Sequence, residues 1–205
     1  MSQKSKIQKF EPFSLPFYKI TIGNWKTRKA QLLELVNWND PDCQFVDHFT
    51  DYHKNVQTSD GRASYTKKFI EILKPELASF AKKVEGNIHL TGLWAQRYQL
   101  MQHMEPHTHG SKGYSAVLYA EMEEGHEPTV FWAPYQDPIA AGDLVHRPYA
   151  KEGDMILFPS MLIHYASNNL TQANRTIFSF NCDVQPSQKS AQLARPAGNM
   201  NFLQK

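Results

Sequence analysis

From residue 88 to residue 184 the chain runs through short aromatic and β-branched segments separated by turn residues, with no helical stretch between them. This property constrains the fold more than any other. Parallel strands need long, usually helical crossovers, so strands joined this way pair mainly antiparallel. About six such runs are legible, over 88–100, 114–121, 129–132, 154–158, 163–167 and 175–184. A sheet of this size hides its edges best by folding into a sandwich or barrel. The expected fold is mainly β with α, a double-stranded β-helix (jelly roll) covered by N-terminal helices.

The preceding residues supply those helices. Residues 15–22 (LPFYKITI) read as a strand, after which Asn24 is expected to cap a helix over 25–38. Its residues Trp25, Leu32, Leu33 and Val36 recur at helical spacing, and Asp40-Pro41 ends it. A mixed stretch to Arg62 reads mostly as loop. Between Ser64 and Val84, one apolar stripe joins Phe69, Ile72, Leu73, Leu77 and Phe80, and Pro75 is expected to kink or divide the helix. The expected organisation is a single domain over 1–205: an N-terminal strand and supporting helices (1–87), a jelly-roll catalytic core (88–184) and a polar tail (185–205). Residues 1–12 read as loose. The tail reads as a mobile end or as an arm that docks on a partner, such as another copy in a homo-oligomer.

Charge narrows the function classes. The 22 basic and 20 acidic residues leave a formal charge of +2, too little for the broad field that collects on nucleic acid or anionic lipid. No stretch approaches the roughly 20 apolar residues needed to span a bilayer. The opening MSQKSKIQKF lacks the apolar core of a secretory signal, so the expected location is the cytoplasm. Cys43 and Cys182 are too few for a disulfide framework and wrongly spaced for a structural zinc site; they read as reduced, buried thiols.

The histidines carry the chemistry. His107 and His109 lie in Glu-Pro-His-Thr-His-Gly, where alternation along an extended segment puts both imidazoles on one side. His164 begins the strand after Gly-Asp-Met-Ile-Leu-Phe-Pro-Ser and is the third candidate. Three neutral imidazoles can hold one divalent metal and leave other coordination positions open. Packing or surface histidines are the plain alternative. Arg175 adds weight, because Arg175, Ile177, Ser179 and Asn181 share one strand face while Thr176, Phe178, Phe180 and Cys182 share the other. An inward arginine requires an anion; its fork suits a ligand carboxylate, although an internal Asp or Glu would also serve. His48, His53, His89, His103, His126 and His146 show no ligand spacing, and Trp94 and Trp132 read as core or pocket wall. The loop over 133–152 and the N-terminal helices are expected to rim the barrel mouth.

The segments EPHTHG, GYSAVLYAEM, GDMILFPSMLIHYASNN and RTIFSFN, in that order, resemble the non-haem Fe(II)- and 2-oxoglutarate-dependent dioxygenases over roughly residues 90–184. They resemble most the prolyl-hydroxylase-like branch, especially phage and marine bacterial members with an HxH first motif. The resemblance implies a hydroxylase that uses Fe(II), 2-oxoglutarate and O2 and releases succinate and CO2. It implies His107, His109 and His164 as metal ligands, Arg175 and Tyr119 as holders of the distal carboxylate, and Tyr98 as a weaker candidate for the same wall. A small molecule or a peptide or protein side chain is the implied substrate, and the host cytoplasm is the implied location for a phage-encoded chain. One departure is marked: His109 stands where the family usually places an acid, leaving the metal charge uncompensated until the dianion binds. It also fills the position that halogenases open for halide. Glu105 is a remote ligand candidate. The cupins share the jelly roll and the HxH motif, so a cupin-type metal protein or 3-His thiol dioxygenase stays open beside a non-catalytic jelly-roll binding protein.

Overall fold

A computed structural model describes residues 15–56 and 63–186. Along the chain come β1 (Tyr18–Thr21), α1 (Trp25–Leu33), β2 (Phe49–Thr50), α2 (Tyr52–Val56), α3 (Thr66–Lys83) and β3 (Gly86–Tyr98). Then follow β4 (Met104–His107), β5 (Tyr114–Glu121), β6 (Val130–Gln136), β7 (Asp143–His146), β8 (Asp154–Pro159), β9 (His164–Ala166) and β10 (Arg175–Pro186). The strands form a six-stranded sheet of order β1-β8-β5-β10-β3-β2 and a four-stranded sheet of order β4-β9-β6-β7. Every pairing is antiparallel, as the absence of crossover helices requires.

The larger sheet is apolar on both faces because each face has its own cover. On the outer face, Ala116, Leu118, Met155, Leu157, Phe178 and Phe180 pack with the α3 stripe Phe69, Leu73, Leu77 and Phe80. On the inner face, Val117, Tyr119, Ile156, Phe158, Ile177 and Tyr98 pack with Phe131 of the smaller sheet. The alternation expected for β10 therefore holds: Phe178 and Phe180 sit under the helix, Ile177 inside the roll.

Several local expectations need correction. Pro75 does not divide α3, which runs unbroken through it; burial of Phe69, Leu73, Leu77 and Phe80 on one stripe outweighs the loss of a single helical hydrogen bond. The helix expected to reach Trp38 ends at Leu33. Asn24 starts it from a left-handed conformation (φ 50°) without a side-chain cap, its carbonyl accepting from Thr27 and Arg28. The stretch read as loop to Arg62 holds β2 and α2. The 133–152 loop holds the rest of β6 and all of β7, paired Phe131 to His146 and Gln136 to Asp143, because Pro134 sits on an irregular stretch of that ladder. The expectations for residues 1–12 and for the tail beyond Pro186 lie outside the described residues.

Candidate metal centre

The two sheets meet where the histidines sit. His107 at the end of β4 is the direct cross-strand partner of His164 at the start of β9, and Phe131 flanks His164 on its other side. Opposed positions in an antiparallel pair bring their Cβ atoms to roughly 5 Å, so the register alone makes these imidazoles neighbours. His109 lies just beyond β4, tied by its backbone N–H to the Ser160 carbonyl at 3.0 Å. The ring centroids of the three histidines are 4.4–5.0 Å apart, and one ligand nitrogen from each falls within 4.8 Å of the others.

The outward nitrogens are already occupied. His107 Nδ1 lies 2.7 Å from the Glu105 carbonyl, His164 Nδ1 2.9 Å from the Leu162 carbonyl, and His109 Nδ1 2.9 Å from both Asn181 Oδ1 and Ser115 Oγ. A carbonyl only accepts, so His107 and His164 carry their proton on Nδ1 and turn an Nε2 lone pair to the centre. His107 Nε2 and His109 Nε2 stand 3.1 Å apart. Two such lone pairs repel unless a cation lies beside both. Imidazole–metal bonds of about 2.1 Å meeting near a right angle put their nitrogens about 3 Å apart. The donor set fits a divalent metal. Burial pushes His109 down to about 4, helped by the neighbouring His107, and pushes His164 down to about 3, so both are neutral at pH 7, the form that ligates. Glu105 contributes its carbonyl; its carboxylate pairs with His103 at 3.0 Å.

Arg175 is 2% exposed. Its guanidinium donates to the carbonyls of Glu127 (3.1 Å) and Ser167 (2.6 Å) and lies 4.7 Å above the ring of Tyr98, its cross-strand partner. No carboxylate among the described residues forms an ion pair with it. The nearby Glu127 carboxylate instead accepts the Ser167 hydroxyl at 2.7 Å. Burial thus disfavours the Arg175 charge; the Glu127 carboxylate, near but not in a salt bridge with it, offsets this only in part. Tyr98 lines the same small cavity as His107, His109 and His164. Tyr119 is buried beside it in the inner cluster, its hydroxyl accepting from the Thr129 N–H at 3.1 Å.

A larger cavity of about 350 Å³ opens over His107 and His109, walled by His48, Tyr52, His53, Trp94, Gln96 and Asn181. Its outer wall comes from β2 and α2, and none of residues 133–152 lines either cavity. His48 and His53, read from spacing as ordinary histidines, are pocket wall rather than ligands. His48 stacks on Tyr98 with ring centroids 5.5 Å apart, and its Nδ1 is buried without a hydrogen-bond partner. Trp94 stands edge-on to His109 at 5.1 Å. No local sequence signal marked His48, Tyr52 or His53, because a chain reversal carries 48–53 back over β3.

Fold and site together present a candidate non-haem metal centre inside a jelly roll. The family described as putative 2OG-Fe(II) oxygenase matches residues 92–181, a span that holds His107, His109, His164 and Arg175. Over that span the chain is similar to the 2OG-Fe(II) oxygenases, enzymes that use Fe(II), 2-oxoglutarate and O2. That similarity favours the oxygenase reading over the cupin and non-catalytic ones. A search of curated proteins by sequence finds no match. Among solved structures, HygX from Streptomyces hygroscopicus, with nickel, 2-oxoglutarate and hygromycin B bound, superposes with a TM-score of 0.57 at 14% identity, covering 84% of this chain and 83% of that one. The viral collagen prolyl hydroxylase of Paramecium bursaria Chlorella virus-1, as its 2OG complex, gives 0.52 at 12% identity over 81% and 94%. AviO1 from Streptomyces viridochromogenes gives 0.57 at 12% identity over 83% and 92%. At these identities the superpositions establish the shared fold.

Proposed function

We propose that the chain is a hydroxylase of the prolyl-hydroxylase-like branch in which His107, His109 and His164 hold Fe(II), and Arg175, with Tyr119 and Tyr98, holds the distal carboxylate of 2-oxoglutarate. The observation that carries the reading is the buried Arg175 guanidinium, which has no carboxylate partner among the described residues and is one ring removed from the histidine cavity. A buried guanidinium with no acid against it suits one that receives a ligand carboxylate. With metal, 2-oxoglutarate and O2 bound, the centre supplies the oxidising chemistry that splits 2-oxoglutarate into succinate and CO2 and hydroxylates a C–H bond.

The chain's own residues aim and shield. Tyr98 and Tyr119, both about 1% exposed, wall the carboxylate end and keep water from the guanidinium, which strengthens its pull on an anion. Phe131 and Phe158 pack on His164 at ring distances of 5.8 and 4.7 Å and fix its orientation. The substrate enters over His107 and His109, between Tyr52 and Trp94. HygX holds hygromycin B and the viral enzyme is a collagen prolyl hydroxylase; a cavity of about 350 Å³ suits either a small molecule or one protein side chain. No helix of the described residues is long and apolar enough to cross a membrane. We place the enzyme in the cytoplasm, where the buried, unpaired Cys43 and Cys182 stay reduced.

The test is anaerobic addition of Fe(II) and then 2-oxoglutarate to metal-free protein. A visible charge-transfer band that requires both additions and disappears in Arg175→Ala supports the assignment. Iron binding without any band removes the 2-oxoglutarate part of it.

A further inference from the structure

We propose that Asn181 is the positioning residue that makes His109 a metal ligand, by deciding which ring nitrogen carries its proton. The proposal rests on the reading that the three histidines hold the metal. His107 and His164 each have their proton fixed by a backbone carbonyl two residues earlier, at Glu105 and Leu162. His109 has instead two side chains at its Nδ1, Asn181 Oδ1 and Ser115 Oγ, each at 2.9 Å. These two differ in kind. A hydroxyl can donate or accept, whereas an amide oxygen only accepts. If Ser115 donated to Nδ1, the His109 proton would move to Nε2, the atom facing His107 at 3.1 Å, and the ligand lone pair would be lost.

Asn181 prevents this twice over. Its Oδ1 accepts the Nδ1–H of His109, and the same oxygen lies 2.8 Å from Ser115 Oγ, where it takes the serine proton and leaves that hydroxyl an acceptor toward His109. Ser160 Oγ, 2.9 Å from Ser115 Oγ, is a second outlet for the serine proton. The placement is built into the sheet, since Asn181 and Ser115 are direct cross-strand partners on β10 and β5. Asn181 also lies on the barrel-facing side of β10, the face that carries Arg175. An amide here directs the proton without adding charge, so His109 remains a neutral ligand where the family usually has an acid.

The experiment is a double-mutant cycle on Fe(II) affinity, measured anaerobically on the full chain by competition with a chromogenic chelator. Asn181→Leu is expected to weaken Fe(II) by about 10- to 100-fold, the usual loss when a group orienting a ligand is removed. Asn181→Asp keeps the acceptor and should bind at least as tightly as the parent, and Ser115→Ala should bind nearly as tightly. In a His109→Ala background, Asn181→Leu should have no further effect. Parent-like affinity in Asn181→Leu overturns the proposal, as does an equal loss in Asn181→Asp or a full loss that persists without His109. Should Asn181→Leu fail to fold, Asn181→Asp and Asn181→Ala carry the same comparison. A parent chain that binds no Fe(II) overturns the three-histidine reading and this proposal together; a parent that binds, unaffected by Asn181→Leu, overturns this proposal alone.

Discussion

Replacing Arg175 by Met removes a charge but keeps most of the side-chain volume, so it isolates the anion-binding role. The guanidinium has five N–H donors, and the hydrogen bonds in the structure are to two backbone carbonyls, leaving donors for a carboxylate. Truncating one partner of a buried, hydrogen-bonded charge pair costs about 2–5 kcal/mol. At about 1.4 kcal/mol per tenfold, 2-oxoglutarate affinity should fall roughly thirtyfold to several thousandfold. The free protein should change much less. Met relieves an unpaired buried charge while orphaning the Glu127 and Ser167 carbonyls, and these effects oppose each other. The assay is anaerobic titration of Fe(II)-loaded protein with 2-oxoglutarate, read in the visible band, beside thermal melting with and without the co-substrate. The parent should be stabilised by about 2.7 kcal/mol at a hundred times its Kd, and Arg175→Met should show no such gain at that concentration. If the variant binds 2-oxoglutarate as the parent does, or loses iron instead, the guanidinium does not hold the co-substrate.

Other perturbations test separate parts of the reasoning. His164→Ala, at a proposed ligand only 3% exposed, should abolish Fe(II) binding, measured as iron retained after desalting. His48, His109 and His164 are held by burial at about 4, 4 and 3, below the unfolded value of about 6.5. Between those limits the unfolded chain binds more protons, so metal-free protein should lose stability as pH falls from about 6.5 toward 4; a urea midpoint that does not fall from pH 7 to pH 5 would contradict this. Gly113 has φ +78°, and a Cβ there would run into the Cys182 carbonyl oxygen. Gly113→Ala should therefore cost at least about 1 kcal/mol in chemical denaturation. Phe178, fully buried against Phe69 of α3 and Trp38, should cost about 3–5 kcal/mol as Phe178→Ala, with a parallel loss of melting temperature.

The β architecture, and the three histidines that converge within it, are legible in residue order. Period-two alternation is a local property, so the inward face of β10 follows from residue order alone, whereas His109 lies beyond the end of β4 and is held beside His107 by its backbone bond to Ser160. The strand count came out short, because β2, β4 and β7 are two to four residues long and draw their pairing from neighbours rather than from their own composition. Pro75 misled for a related reason: helix propensity is a local term, and the buried stripe of α3 outweighs it.

Which groups surround the histidines depends on contacts between distant segments. His48, Tyr52 and His53 reach the cavity because the chain folds back over β3, and Asn181 reaches His109 across 72 positions of sequence. Tertiary structure also decided that Arg175 faces carbonyls and an aromatic ring rather than an internal acid. Periodicity fixes a residue's face, but what stands opposite depends on strand register and sheet order, which are set by contacts between distant segments.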